Sequence, residues 1–230
     1  MKIAETIKSM TRFERLLWLI SAAVIAGAYA LSGKGGVLEL CASLIGVTAL
    51  IFVAKGMVLG QALTVLFALF YGFISLKAGY YGEMITYLGM TAPIAAAAVV
   101  SWLRHPYKGT KVVEVAPLTK RKLLLLILSA AAVTVLFYFI LKALGNASLI
   151  FSTLSVFTSF LASGLTFLRS PYYAIGYSAN DLVLIVLWIA AVRTDSSALP
   201  MVFCFVMFFV NDLYGFFNWR RLERRQQSRK

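Results

Sequence analysis

The chain has 230 residues, of which 61% are hydrophobic and only 13% are charged. A soluble domain has about a quarter charged residues, so this composition excludes an ordinary soluble globule and is typical of a protein with many membrane spans. The formal net charge is +13. The basic residues lie between apolar segments, which indicates membrane topology and not a nucleic-acid-binding face.

Eight apolar segments follow one another along the chain, each about long enough to cross ~30 Å of hydrocarbon. We place them near residues 15–32, 37–54, 57–76, 81–103, 121–144, 148–168, 172–192 and 199–219. The fold class predicted from this pattern is all-α integral membrane. The first segment has an alternative, because its basic start and the Ala-Tyr-Ala at 28–30 resemble a signal peptide.

The distribution of Lys and Arg predicts the orientation. If all eight segments span and the N-terminus is cytoplasmic, 18 of the 22 basic residues lie on the inner side. Only Lys34, Lys77, Lys142 and Arg193 then lie on the outer side. Cytoplasmic loops carry the excess of positive charge, so we predict that both termini are cytoplasmic.

The two halves of the chain resemble each other. Residues 80–106 end with Trp102 and a basic residue, and residues 201–225 end with Trp219 and a basic run. We predict two parallel three-helix repeats joined by a connector helix, an arrangement with the binding site at the midplane between the repeats. The predicted divisions are an N-terminal extra helix (1–35), a first triplet (36–103), a cytoplasmic loop (104–120), a connector helix (121–146), a second triplet (147–219) and a basic tail (220–230). The alternative for the two Trp residues is an ordinary interfacial belt.

Two Asn-Asp pairs interrupt apolar segments near the C-terminus. Asp181 lies roughly 14 Å from the inner edge of its segment and Asp212 roughly 11 Å, at 1.5 Å per residue, so the pairs lie at similar depth on adjacent helices. An intramembrane carboxylate is costly and is by default a functional candidate; the alternative is a structural contact between helices. Helical spacing adds three aromatic candidates, Tyr177 and Trp188 on the face of Asp181, and Tyr214 on the face of Asn211. A carboxylate flanked by aromatic rings suits a flat and cationic ring.

Hydroxyl groups form a stripe along the sixth segment, at Ser152, Ser155, Ser159, Ser163 and Thr166. The sequence leaves two roles open for this stripe: it allows close helix packing, or it lines a water-filled passage. Weaker candidates in the first half are Gln61, Glu83 and Tyr87. Glu83 lies near the outer end of its segment, where we expect it to be solvated, and Pro93 is expected to kink the fourth segment.

At these residues the chain resembles the PnuC-type nicotinamide riboside transporter family of bacteria, over roughly residues 36–225. The motifs that carry the resemblance are Asn-Asp-Leu-Tyr-Gly-Phe-Phe-Asn-Trp-Arg-Arg at 211–221, Phe-Val-Ala-Lys-Gly at 52–56, Tyr-Gly-Phe-Ile-Ser at 71–75, Tyr-Gly-Glu at 81–83, Pro93 and Trp102. The resemblance implies a three-plus-one-plus-three helix arrangement similar to that of the SWEET proteins. It also implies that the protein carries vitamin-like nucleosides by facilitated diffusion.

The family's binding motif in the seventh segment is usually two Trp residues and an Asn. By position, the second Trp corresponds to Tyr177 and the Asn to Asp181, while the first falls at Ala174, or at Tyr173 after a slip of one residue. These departures leave thiamine, riboflavin or another nucleoside open beside nicotinamide riboside. The predicted substrate-binding residues are Tyr173, Tyr177, Asn180, Asp181, Trp188, Asn211, Asp212, Tyr214, Ser159 and Tyr87.

The remaining expectations concern class and partners. No nucleotide loop, metal-ligand spacing or nucleophile–base arrangement is present in the sequence, so we predict neither an enzyme nor a cofactor or metal. The expected partners are a small aromatic-ring substrate and the lipid bilayer of the bacterial inner membrane, with a homo-oligomer left open and no nucleic acid. The rival class is a non-transporting membrane sensor or scaffold.

The charge distribution makes a testable prediction about topology. A tag placed at either end of the chain should react only with reagents that have access to the cytoplasm, because the inner side holds 18 basic residues. Labelling of intact cells and of inverted vesicles measures this. A tag at the N-terminus that reacts from the periplasm would contradict the prediction and leave seven spans.

Overall fold

The computed structural model describes residues 10–33, 36–77, 79–146 and 148–228. In these ranges eight helices are long and apolar enough to cross a membrane. They are α1 (Arg12–Ser32), α2 (Val37–Ala54), α3 (Val58–Lys77), α4 (Tyr81–Arg104), α5 (Lys120–Ala143), α6 (Leu149–Phe167), α7 (Tyr173–Val192) and α8 (Leu199–Gln227). The predicted all-helical membrane fold is confirmed. Five of the basic residues in the predicted charge pattern lie outside the described residues, namely Lys2, Lys8, Lys34, Arg229 and Lys230.

Helix α4 is interrupted near Pro93. It begins as an α-helix at Tyr81–Ile85, widens into a π-helical turn at Thr86–Thr91 and returns to α-helix at Ala92–Arg104. Proline has no N–H and its ring clashes with the carbonyl four residues earlier, and a widened turn directly before Pro93 relieves that conflict. The irregularity expected at Pro93 is therefore a π turn, which places Tyr87 and Thr91 in the interior of the bundle.

Six of the helices form a closed ring. The packing partners follow the order α2, α3, α4, α6, α7, α8 and back to α2. Helix α5 packs extensively only on α6, and α1 packs outside the ring against α2 and α8. In the predicted division, the first helix of each triplet therefore packs against the third helix of the other. The equivalence of the two triplets by rotation stays a prediction.

Two tryptophan side chains connect the triplets by matching hydrogen bonds. The Trp102 indole N–H, near the end of α4, donates to the Thr166 carbonyl at 3.1 Å, and the Trp219 N–H, on α8, donates to the Val53 carbonyl at 2.8 Å. Thr166 and Val53 are each the next-to-last residue of their helix. The two rings contact each other, with centroids 5.4 Å apart. We call this end of the bundle the tryptophan end.

The residue before each tryptophan continues the match. Ser101 Oγ donates to the Phe167 carbonyl at 3.4 Å, and Asn218 Nδ2 donates to the Ala54 carbonyl at 2.8 Å. The last carbonyls of a helix have no partner within the helix. In the predicted division, the third helix of each triplet thus bonds the last two carbonyls of the other triplet's first helix. The Val53 and Thr166 carbonyls also accept the Gly56 and Arg169 N–H groups.

The loop between α4 and α5 ties these ends together. Val113 N–H donates to the Gly56 carbonyl at 2.9 Å and Ala116 N–H to the Arg169 carbonyl at 3.0 Å. Both acceptors follow a first helix of a triplet, and both have a left-handed backbone, with φ of 67° at Gly56 and 58° at Arg169. Gln226 of α8 holds the same loop through Val115 N–H at 2.8 Å and the Val113 carbonyl at 3.0 Å.

Helix α1 is anchored to the ring by buried polar contacts. Its first turn has a capping box, in which Glu14 N–H donates to Thr11 Oγ1 and Thr11 N–H donates back to the Glu14 carboxylate. Glu14 also forms an ion pair with Lys55 at 2.9 Å. Further along, Trp18 donates to Thr48 Oγ1 at 3.0 Å. The signal-peptide alternative gives no reason for these contacts with the body of the fold.

The matching tryptophan bonds predict matching stability losses. Trp102→Phe and Trp219→Phe should each lower the free energy of unfolding by about 0.5–1.5 kcal/mol, because each removes one of the two hydrogen bonds that the Thr166 or Val53 carbonyl accepts. Thermal unfolding in detergent measures the effect. Trp18→Phe, which removes a half-buried bond to a hydroxyl, is the control and should cost less. A large loss in one variant and none in the other would show that the two bonds are not equivalent.

Candidate functional site

A small cavity lies inside the ring at mid-depth, with a volume of about 40 Å³. Side chains from both predicted triplets form its walls. From α2, α3 and α4 these are Gly46, Ala49, Leu50, Val53, Gln61, Thr64, Phe67, Tyr87 and Thr91, and from α7 and α8 they are Tyr173, Tyr177, Asn180, Asp181, Phe208 and Asp212. The two aspartates are the only acidic side chains among these residues, and none of the residues is basic. Six of the predicted site residues therefore meet at one place.

Asp181 and Asp212 form a carboxyl pair. They come from adjacent helices, and both line the cavity. Both are buried, with 4% and 3% of their surface exposed. The Asp181 Oδ2 atom has no hydrogen-bond partner.

Asn180 makes hydrogen bonds to α6, unlike the neighbouring Asp181. Its side-chain oxygen accepts hydrogen bonds from three hydroxyls of α6, namely Ser155 at 3.3 Å, Thr158 at 2.9 Å and Ser159 at 2.9 Å. An amide oxygen has two lone pairs, so its acceptor capacity is saturated. Asn180 borders the cavity, but its acceptor holds α6 against α7.

Tyrosine side chains form the aromatic walls of the cavity. Tyr173 and Tyr177 lie one helical turn apart on α7, with ring centroids 6.2 Å apart, and the Tyr177 hydroxyl bonds Ser163 Oγ at 3.2 Å. Gly215 makes room for Tyr173, because a Cβ there would lie 2.8 Å from the Tyr173 hydroxyl. The resemblance left Ala174 or Tyr173 for one motif position; Ala174 packs toward α8, and Tyr173 lines the cavity.

Trp188 lies apart from this cavity. Its indole N–H donates to the Tyr71 hydroxyl at 2.9 Å, and it borders a second and larger cavity of about 370 Å³ at the other end of the bundle. Glu39, Lys77, Tyr80 and Asp195 also line that cavity, and we call this end the Lys77 end. Trp188 therefore belongs to the partition between the two cavities and not to the carboxyl pair.

An aromatic partition separates the two cavities. Tyr71 lies at its centre, fully buried, with ring centroids 4.3 Å from Tyr87 and 5.5 Å from Phe67 and Phe205. Phe208 extends it, packed 5.3 Å from Phe67. Gly46 permits this packing, because a Cβ there would lie 2.3 Å from Phe208 Cζ.

Asn211 and Tyr214 face away from the cavity. Asn211 Nδ2 donates to Ser21 Oγ of α1 at 2.9 Å, and Tyr214 donates to Glu14 Oε1 at 2.9 Å. Successive helical residues are rotated by about 100°, so Asp212 reaches the ring interior while Asn211 reaches α1. The structure does not bring these two predicted site residues to the carboxyl pair. Their contacts instead explain why α1 belongs to the fold.

The hydroxyl stripe of α6 packs against its neighbours. Its five members are all buried, and Ser159, a predicted site residue, bonds Asn180. Ser152 lies against Gly82, where a Cβ would approach within 2.8 Å, and it accepts a bond from Asn146 at 2.9 Å. Of the two roles that the sequence left open, the described contacts support close helix packing.

The expectation that Glu83 is solvated is wrong. Its exposed surface is 0%, and neither carboxyl oxygen has a hydrogen-bond partner. The cause is the first turn of α4, where Gly82 N–H donates to Asn146 Oδ1 at 3.2 Å and holds the start of the helix against the loop after α5. Glu83 does not line the central cavity.

Several cavity residues were missed or given little weight in the sequence. Gln61, a weaker candidate there, lines the cavity together with Thr64. Their spacing of three residues places both polar side chains on one face of α3, and this signal was available. No sequence signal distinguished Gly46, Phe67 or Phe208 from other apolar residues in the spans.

Comparisons with known proteins agree on the family. The profile of the family described as nicotinamide mononucleotide transporter matches residues 36–221. The chain belongs to this family. A curated relative, the nicotinamide riboside transporter PnuC of Neisseria mucosa, is 26% identical over 223 residues, which are 95% of this chain and 84% of the relative.

A solved structure of the family extends the agreement to the fold. The crystal structure described as that of the vitamin B3 transporter PnuC has a TM-score of 0.83 and 25% sequence identity, over 95% of this chain and 94% of that chain. The resemblance drawn from the motifs is thereby confirmed, and the protein belongs to a transporter family and not to an enzyme family. Among the described residues, no group of three His, Cys, Asp or Glu side chains is placed to hold a metal ion.

The contacts of Asn180 predict a structural cost. Asn180→Ala should lower the free energy of unfolding by about 1–3 kcal/mol, because three hydroxyls lose their acceptor in a buried interface. Thr158→Val removes one of the three donors and should cost less. Thermal unfolding of both variants in detergent measures the difference. An Asn180→Ala protein as stable as the wild type would assign Asn180 to the ligand and not to the helix contact.

Proposed function

We propose that this protein carries nicotinamide riboside, or a related vitamin-like nucleoside, inward across the bacterial cytoplasmic membrane, with both termini in the cytoplasm. The observation that carries the proposal is the Asp181–Asp212 pair, buried in a cavity between the two triplets and walled by tyrosines. The family and the relative named above support the same class of substrate.

Charge decides between the riboside and the mononucleotide. The pyridinium ring of nicotinamide riboside is positive, and an unpaired carboxyl oxygen in a medium of low dielectric attracts a cation strongly. The mononucleotide also carries a phosphate, which requires Lys, Arg or backbone N–H donors. The residues that line the cavity include two Asp and no Lys, Arg or His. The site therefore favours the riboside.

The tyrosines supply the second element of recognition. Tyr87, Tyr173 and Tyr177 surround the carboxyl pair from α4 and α7. Aromatic faces attract a cationic ring, and they stack on a flat ring without regard to its orientation in the plane. Gln61, Thr64 and Thr91 offer neutral donors and acceptors on the opposite wall, which suits the hydroxyls of a ribose.

The size of the cavity implies a moving mechanism. A volume of about 40 Å³ holds about one water, whereas ligand sites enclose about 300–1,000 Å³. The aromatic partition closes the cavity toward the Lys77 end, and the tryptophan bonds close it toward the other end. We assign this arrangement to a state that is closed toward both ends. Binding then requires one triplet to rock against the other, with access alternating between the ends by facilitated diffusion.

Thiamine is the second candidate substrate. Its thiazolium ring also carries a positive charge, so the same carboxyl pair would bind it. Riboflavin has an uncharged ring and gains nothing from the pair. A non-transporting sensor would bind the ligand without moving it, and uptake of labelled ligand into liposomes separates these classes. Crosslinking tests whether the protein is a homo-oligomer. Helix α5 packs extensively only on α6, so its outer faces remain open to lipid or to a second copy.

The charge of the pair predicts how one substitution affects binding. Asp181→Asn removes the carboxyl whose Oδ2 has no partner and keeps an amide of the same shape. Nicotinamide riboside should bind about tenfold to a hundredfold more weakly, which corresponds to about 1–3 kcal/mol. Reduced nicotinamide riboside, whose ring is uncharged, should bind equally to both proteins. Calorimetry on purified protein measures both ligands, with thiamine and riboflavin beside them.

A matched control variant is Glu83→Gln, which removes another buried carboxyl that does not line the cavity. Its affinity for the riboside should equal that of the wild type. Equal riboside binding by Asp181→Asn and the wild type would remove the pair from the site. Binding of thiamine and not of the riboside would reassign the substrate.

A further inference from the structure

The larger cavity at the Lys77 end has room for a nucleoside. Its volume of about 370 Å³ lies within the range of about 300–1,000 Å³ that is usual for ligand sites, whereas the cavity at the carboxyl pair measures about 40 Å³. The walls come from the end of α1, the start of α2, the end of α3, the end of α7 and the start of α8. A ligand can therefore occupy this end of the bundle while the centre is closed.

Two aromatic rings form a corner in this cavity. The centroids of Trp188 and Tyr80 are 5.2 Å apart and their planes meet at 68°, so a flat ring can lie on one of them while its edge meets the other. Trp188 is buried, and its N–H bond to the Tyr71 hydroxyl fixes its orientation. Tryptophan is the aromatic side chain that attracts a cation most strongly. The corner thus suits a planar ring that carries a positive charge.

The charges on the wall favour the same ligand. Glu39 comes from the first turn of α2, and Asp195 comes from the turn after α7. Ser197 holds the Asp195 carboxylate in place, because its N–H donates to Oδ1 at 2.9 Å and its hydroxyl to Oδ2 at 2.6 Å. The one basic residue on the described wall is Lys77, and its ammonium lies 4.8 Å from the ring centroid of Phe73, which does not line the cavity. Two acids against one base leave an excess of negative charge.

Hydroxyl groups complete the wall. Thr194 Oγ1 donates to the Ala191 carbonyl at 2.8 Å, and the Ser197 hydroxyl donates to Asp195. Each oxygen keeps lone pairs that can accept hydrogen bonds, which suits the hydroxyls of a ribose. Two other cavities, of about 340 and 380 Å³, have no acidic residue on their described walls. Volume, aromatic faces, negative charge and hydroxyl acceptors occur together at the Lys77 end.

We infer that the cavity at the Lys77 end is an outer docking site, which binds the cationic nucleoside before it reaches the carboxyl pair. Trp188 and Tyr80 contact its ring, and Glu39 and Asp195 balance its charge. The inference rests on the proposed function, since it requires a substrate with a cationic ring that enters from this end.

The docking site acts on the rate of entry and needs no energy source. Negative charge at the mouth of a cleft raises the local concentration of a cation and its rate of association. The substrate then waits beside the aromatic partition, of which Trp188 is also a part, until the partition opens. Movement stays downhill, in agreement with facilitated diffusion.

Equilibrium binding to the purified wild-type protein tests the inference. Nicotinamide riboside should bind in two classes, one tight at the carboxyl pair and one weaker at the Lys77 end. The weaker class should lose affinity as the ionic strength rises, because charges near solvent are screened by salt. It should also quench the fluorescence of Trp188, since an indole transfers charge to a pyridinium ring stacked on it. In Trp188→Phe, this part of the quenching should disappear.

Variants separate the two classes. The double variant Glu39→Gln with Asp195→Asn should weaken the weaker class by about tenfold, the scale of two ionic contacts near solvent. Asn at 195 keeps an acceptor for the Ser197 N–H. Glu223→Gln, which removes an acid at the tryptophan end, is the matched control and should change neither class. Reduced nicotinamide riboside, with no ring charge, should be insensitive to the double substitution.

Asp181→Asn makes failure of this inference distinguishable from failure of the proposed function. It should weaken the tight class and leave the weaker one intact. A single class of binding, weakened by Asp181→Asn, overturns the docking site and leaves the proposed function standing. A weaker class that ignores salt and Trp188→Phe also overturns it, and these two measurements decide even where the double variant does not fold. An absence of any riboside binding overturns both.

Discussion

The hydrocarbon core of a membrane offers no hydrogen-bond partner, so every polar group within it must find one inside the chain. Apolar helix surfaces do not choose between neighbours in lipid, since lipid is as apolar as they are. In this protein the choice is made by polar contacts between helices. Asn180 selects α6, Asn211 selects α1, and Trp102 and Trp219 each select a carbonyl in the other triplet. The ring order of the helices follows from these pairings.

The same constraint explains why the functional site is conspicuous. Most buried polar side chains in the described residues have partners, and the exceptions are few, with Asp181 and Glu83 among them. A carboxyl oxygen without a partner is destabilising. Where such a group lines a cavity, as Asp181 does, a ligand can supply what the chain does not. Glu83 does not line the central cavity, and it has no part in the proposed site.

The two ends of the bundle are closed by different interactions. Directed hydrogen bonds of Trp102 and Trp219 and the loop after α4 close the tryptophan end, whereas packed rings around Tyr71 and the Trp188 bond form the partition toward the Lys77 end. The charge of the site is one-sided as well. Both acids come from the second triplet, and the first contributes neutral groups such as Gln61. In the proposed mechanism, the ligand therefore binds to the half that carries both acids, and the matching tryptophan bonds lie at the end where the two halves meet.

The sequence by itself determined the number and limits of the spans, the family and the residues at the cavity's centre. Hydropathy decides these features because a bilayer imposes a constraint along one dimension, and Asp181 and Asp212 were conspicuous because charge is rare at that depth. Only the tertiary structure decided which face each residue presents. Adjacent residues such as Asn211 and Asp212 point about 100° apart, and no pattern in one helix tells which neighbour lies on each side. For the same reason Trp188, on the face of Asp181 by spacing, lies two turns away at the partition, and Glu83, near a segment end, is buried under a loop that comes from residue 146.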